Sequence, residues 1–97
     1  MATLHIVNPQ ASTLITPVSL ADRVGDLSGK TVGLYWNLKA GGNVALEHTA
    51  YLLGQRFPGA EFKYYNGSVG ASMRHATAED AEQVARECDA VVGTTSD

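Results

Sequence analysis

The 97-residue chain is 44% hydrophobic and 18% charged with a formal charge of -3, a globular balance that argues against a general nucleic-acid surface. Domains usually hold roughly 100–150 residues, so there is room for one at most, with a small core. The single Cys88 excludes an internal disulfide, the first residues lack the basic start and apolar stretch of a signal peptide, and no apolar run approaches the roughly 20 residues that span a bilayer. These features predict a cytoplasmic protein with neither a membrane nor a nucleic-acid partner.

Residues 1–30 read as an N-terminal strand or arm and linker. Leu4-His5-Ile6-Val7 alternates and is closed by Asn8-Pro9, because proline cannot donate to a ladder. The stretch from 10 to 30 has no sustained period and reads as a surface connection, with a helical turn expected over 19–24. An arm of this length often packs against another chain or another part of the same fold.

Residues 31–97 read as a βαβαβ unit, an incomplete domain. Thr31-Val32-Gly33-Leu34-Tyr35-Trp36 has apolar side chains for both faces, as a strand covered on both sides requires. Asn43 is the expected N-cap of a helix over 44–57, whose buried stripe is Leu46, Ala50, Leu53 and Phe57, with Pro58-Gly59 ending it. Residues 61–65 alternate enough for an edge or half-exposed strand, and the loop over 66–72 is small and glycine-rich. Thr77 caps a second helix with Glu79 and Asp80 in its first turn and a stripe of Ala81, Val84, Ala85 and Cys88. Ala90-Val91-Val92 is the last strand. Right-handed crossovers place the Thr31 strand centrally, giving an α/β, three-layer half of a doubly wound, mainly parallel sheet with an extended N-terminal arm.

In such sheets ligands sit at the carboxyl ends of the strands. The turn from Trp36 to Asn43 leads from one of those ends to a helix N-terminus, where backbone amides and the helix dipole suit a phosphate or carboxylate, and Lys39 adds a full charge. For Lys39, Gly41, Gly42 and Asn43, ligand binding competes evenly with turn chemistry, in which glycine only supplies permissive dihedrals. No G-x-G-x-x-G is present, and Gly25 to Thr31 fails as a phosphate loop because it precedes a strand. His5 and His48 read as exposed or structural, and His75 beside Arg74 is only somewhat better placed. One cysteine without paired spacing makes a protein-only zinc site improbable, and Cys88, in a helix stripe near the end where the dipole disfavours a thiolate, reads as a small core residue. The sequence specifies no cofactor.

Leu27-Ser28-Gly29-Lys30-Thr31-Val32-Gly33-Leu34, Asn37-x-Lys39, Asn43, and Glu87-Cys88-Asp89-Ala90-Val91-Val92 ending in Asp97 together resemble the N-terminal part of the UGSC family. That family is named for a motif of selenocysteine or cysteine followed by Gly-Ser-Cys, directly after an acidic residue at the end of a strand, and Asp97 resembles that residue. The motif itself is absent from the 97 residues. The resemblance implies a thiol- or selenol-dependent oxidoreductase in which Asp97 adjoins the reactive centre and Thr94, Thr95 and Ser96 border it, while Asn37, Lys39 and Asn43 help bind an anionic group of a small-molecule substrate. Two explanations of the end at Asp97 follow from it: a selenocysteine codon read as a stop, or a fold divided between two genes. A second chain or a missing C-terminal half would then complete the sheet, and the chain alone is expected to be inactive. A small subunit of a two-chain enzyme with a shared site, and a non-catalytic α/β ligand-binding module, are the alternatives.

Overall fold

The alternation along β1 (Thr31–Trp36) decides the layering, since Val32 and Leu34 turn to one face of the sheet and Gly33 and Tyr35 to the other. The computed structural model describes residues 2–68 and 76–95. After β1 come α1 (Gly42–Arg56), β2 (Glu61–Tyr65), α2 (Ala78–Glu87) and β3 (Ala90–Thr94). The sheet is parallel throughout in the order β2-β1-β3, with Thr31 opposite Glu61 and Val32 opposite Ala90. Parallel neighbours need crossovers, which the two helices supply. The α/β class, the sequence of five elements and the central place of β1 agree with the sequence reading.

The core lies between α1 and the sheet. Val32, Leu34 and Leu46 are buried to 1% exposure or less, with Leu27, Trp36, Ala50, Phe62 and Val92 packed around them. Burying such side chains contributes about 1.5–3 kcal/mol each, so three of them fix where α1 sits. The other face is more open. Of the stripe expected on α2, Val84 is buried and Cys88 half-buried, but Ala81 and Ala85 are exposed, as is Val91 beneath them at 55%. Gly33 and the flat Tyr35 ring leave α2 little to interdigitate with.

Three local expectations are corrected. Residues 19–24 form no helical turn. Of the strand or extended arm expected at residues 4–7 the arm is what forms, since Leu4, Ile6 and Val7 are 83–84% exposed and no described segment lies alongside to pair with them. Asn43 is not the N-cap. Gly41 holds that place in a left-handed conformation (φ 90°), and α1 starts at Gly42, so Asn43 falls inside the first turn. The reason is steric: only a residue without Cβ fits where the chain enters α1, because a Cβ on Gly42 would lie 2.8 Å from the Trp36 ring and 3.2 Å from the Thr94 carbonyl oxygen. Phe57 is the C-cap of α1 rather than its last helical residue, its amide donating to the Leu53 carbonyl at 2.8 Å.

By contrast α2 starts as its sequence dictates. The Thr77 hydroxyl accepts from the Asp80 amide at 3.0 Å and the Asp80 carboxylate accepts from the Thr77 amide at 2.9 Å, a complete capping box.

Candidate functional site

The turn after β1 is built on a single carbonyl. The Trp36 indole Nε1 donates to the Lys39 carbonyl oxygen at 2.7 Å, and the Gly42 amide donates to the same oxygen at 3.1 Å. The Asn37 side chain braces the other end of the loop, its Oδ1 accepting from the Lys39 amide at 3.1 Å. Leu38 and Gly41 take left-handed backbone angles, φ 68° and 90°. A leucine there is strained, a feature that concentrates at functional sites.

The end of β3 is bonded to this turn at two points. Asn37 Nδ2 donates to the Thr95 carbonyl at 2.6 Å, and the Thr94 hydroxyl donates to the Gly42 carbonyl at 2.9 Å. Asn37, Lys39, Gly41, Gly42, Thr94 and Thr95 are therefore brought together at one edge of the sheet. Asn43 faces a different space, a cavity of about 160 Å3 lined by Trp36, Leu46, Tyr64, Tyr65 and Asn66. Ser96 and Asp97 lie outside the described residues, as do Arg74 and His75.

The amino end of α1 has no side-chain cap. Its first amides, on Asn43 and Val44, have no partner among the described residues and precede the first intrahelical bond, which runs from the Ala45 amide to the Gly41 carbonyl at 3.1 Å. Backbone donors and the positive end of the dipole thus face the carboxyl edge of the sheet. Such an arrangement can hold an anion without further side chains.

A family model, that of the UGSC family, matches residues 5–97. The chain belongs to the UGSC family. No curated protein and no solved structure matches it. The match reaches back to His5, well before the Leu27 segment where the motif resemblance begins, so most of the arm is UGSC-family sequence too.

In this UGSC-family chain Cys88 is remote from the turn. It precedes β3, whereas the turn lies past the carboxyl end of that strand, and its sulfur lies 3.3 Å from the Tyr65 hydroxyl. Tyr65 donates to Glu87 Oε2 at 2.5 Å, and Lys63 Nζ approaches the same oxygen at 3.5 Å. The Cys88 and Glu87 contacts, in that order, hold the Tyr65 phenol well above its ordinary range, while the bond from Tyr65 leads in holding the Glu87 carboxyl below its own. His5 is exposed on the arm, and His48 is exposed on α1 and stacked on Tyr51 with ring centroids 6.3 Å apart. Among the described residues no three His, Cys, Asp or Glu side chains gather as a metal site, and no helix is long and apolar enough to cross a membrane.

Sequence reasoning missed Trp36 and Asp80. Trp36 braces the turn through its indole, and Asp80 collects the amide of Thr77 and both the amide and hydroxyl of Ser68. The signal for Trp36 was its place immediately before the turn. For Asp80 it was the Thr77-x-x-Asp80 spacing of a capping box, which says nothing of Ser68.

Proposed function

We propose that the chain forms the scaffold and anion-binding wall of a thiol- or selenol-dependent oxidoreductase site of the UGSC type, and that none of its described residues is the redox nucleophile. The observation that supports the anion wall best is the contrast between the two helix starts: α2 has a complete capping box and α1 has no side-chain cap. In this reading the Asn43 and Val44 amides and the Lys39 charge receive a phosphate or carboxylate of a small substrate. Gly41 and Gly42 let the backbone approach that closely, and Asn37 holds Thr95, with Thr94 beside it, against the wall. By the family resemblance, Asp97 is the acidic residue that directly precedes the reactive motif, with Ser96 beside it in sequence. A low-pKa selenol or thiol in that motif would attack a disulfide bond of the substrate and displace one thiolate; the resolving cysteine would then release the second thiolate and leave an internal Se–S or S–S bond, which an external thiol reduces.

The wall is tested by titrating the chain with inorganic phosphate and with acetate while following amide resonances. Saturable shifts at Asn43 and Val44, weakened several-fold in Lys39→Ala, are expected. Titrations that leave both amides unmoved would sink the reading.

A second feature favours a partner chain or further half of the sheet. Leu4, Ile6, Leu14, Ile15, Val18 and Leu20 are 83–93% exposed, and β3 has no neighbour on its outer side among the described residues. Strands added at that edge would extend the sheet toward a doubly wound one with a shared site. Stoichiometric co-elution with the product of a neighbouring gene is the expected result, and elution as an unaccompanied monomer in its presence would argue against it.

A further inference from the structure

A cavity of about 230 Å3 opens beside the carboxyl ends of β1 and β2, between Tyr35, Asn66, Gly67, Ser68, Asp80 and Gln83. Tyr35 lines it, and the buried Tyr35 hydroxyl has no hydrogen-bond partner among the described residues. A hydroxyl withdrawn from water and left unpaired is unusual, because the bonds lost to solvent go unreplaced. Burial first, and the Asp80 charge second, hold this phenol above its ordinary value, so it keeps its proton.

Asp80 stands close by, and its bonds are one-sided. Oδ2 accepts from the Thr77 amide at 2.9 Å, the Ser68 hydroxyl at 3.1 Å and the Ser68 amide at 3.3 Å, while Oδ1 has no such donor among the described residues. Those three donors and the amino end of α2 already answer the carboxylate charge, so the cavity makes little further demand for a cation. Gly67 keeps the space open: with φ 73°, a Cβ there would sit 2.5 Å from the Tyr35 hydroxyl and 3.4 Å from Asp80 Oδ2. The Tyr35 and Tyr65 rings, 11° from parallel with centroids 6.5 Å apart, add flat apolar surface.

We propose that this cavity binds a small uncharged polyhydroxylated molecule, a sugar or polyol, whose adjacent hydroxyls bond to the Tyr35 hydroxyl and to Asp80 Oδ1. A polyol supplies both donors and acceptors, which matches one phenol able to do either and one oxygen able only to accept. The site stands independently of the anion wall, since it uses none of the same residues.

The test titrates the isotopically labelled full chain with glucose and with ribose, using choline and acetate as charged controls, and follows the Gly67, Ser68 and Asp80 amides. Saturable shifts with at least one sugar are expected, about tenfold weaker in Tyr35→Phe, the equivalent of one net hydrogen bond. Gly67→Ala, which fills the space, should abolish them. Absence of saturable shifts with either sugar, shifts with a charged control alone, or Tyr35→Phe binding as tightly as the parent would each overturn the proposal.

Discussion

The Thr94 hydroxyl donates to the Gly42 carbonyl at 2.9 Å, joining the last described strand to the first residue of α1 across 52 positions of sequence. This bond, with that from Asn37 to Thr95, makes the carboxyl end of β3 and the amino end of α1 one surface. A ligand held by the α1 amides would therefore also meet the end of β3.

That closeness fixes the sign of one substitution. Alanine for glycine inside a helix ordinarily adds up to about 1 kcal/mol of stability. At Gly42 the new methyl would meet the Trp36 ring at 2.8 Å and the Thr94 carbonyl oxygen at 3.2 Å. Gly42→Ala is expected to destabilise by about 1–3 kcal/mol, the usual range for overpacking, and to perturb the Trp36 fluorescence. Denaturant unfolding checks it, and a stabilised variant would show that the approach is looser than described.

Much of this arrangement is legible in the sequence, but not where α1 begins. Thr31 to Trp36 reads as a two-sided strand because apolar side chains occur at both parities, and order β2-β1-β3 follows from crossover handedness. Asn43, by propensity the better cap, loses its place to Gly41 because the packing of Gly42 against Trp36 and Thr94 sets the entry point, and such long-range contacts leave no local signal. The strand alternative for residues 4–7 fails in the opposite sense. Leu4 to Val7 has strand-like alternation, yet a strand exists only with a neighbour, and none is present among the described residues. The proposed anion wall rests on a helix start after a strand end, which is legible in the sequence; the Tyr35 and Asp80 cavity is not, since its residues come from three separate segments.

Thr77→Ala should cost about 1 kcal/mol, the usual loss for an N-cap hydroxyl. The Asp80 carboxylate, held below its ordinary value of 3.8 chiefly by the Thr77 amide, adds a pH dependence. A carboxyl depressed in the folded state stabilises above its ordinary value and loses that contribution as pH falls through the depressed one. Asp80→Asn is thus expected to flatten the acid limb of the stability curve below about pH 4, measured by urea unfolding at several pH values. An unchanged acid limb would mean the box adds no linkage.

The Tyr65 cluster predicts the opposite limb. Its phenol lies above the ordinary value of 10.0 through Cys88 first and Glu87 second. A group raised in the folded state contributes stability fully below its ordinary value, and the contribution disappears as pH rises through the raised one. Cys88→Ala and Glu87→Gln should each move one tyrosine titration down toward 10.0, followed by tyrosinate absorbance. Identical titrations in both variants and the parent would exclude these contacts in solution.

The small core sets how far any change at the turn can be tolerated. Leu34 is fully buried at the centre of β1 and, with Val32 and Leu46, forms the buried centre of the core. Leu34→Ala leaves a cavity between sheet and helix, for which the expected cost is about 3 kcal/mol or more; Leu52→Ala, at a position 51% exposed on the same helix, should cost within about 0.5 kcal/mol. Because Leu34 and Leu46 help pack α1 against the sheet, Leu34→Ala should also weaken phosphate binding at the Asn43 and Val44 amides. Leu52→Ala should leave it unchanged. Parallel measurement of unfolding and phosphate titration separates the cases, since a Leu34→Ala chain that lost stability but bound phosphate normally would show that the wall is held by the Thr94 and Asn37 bonds instead of by the core.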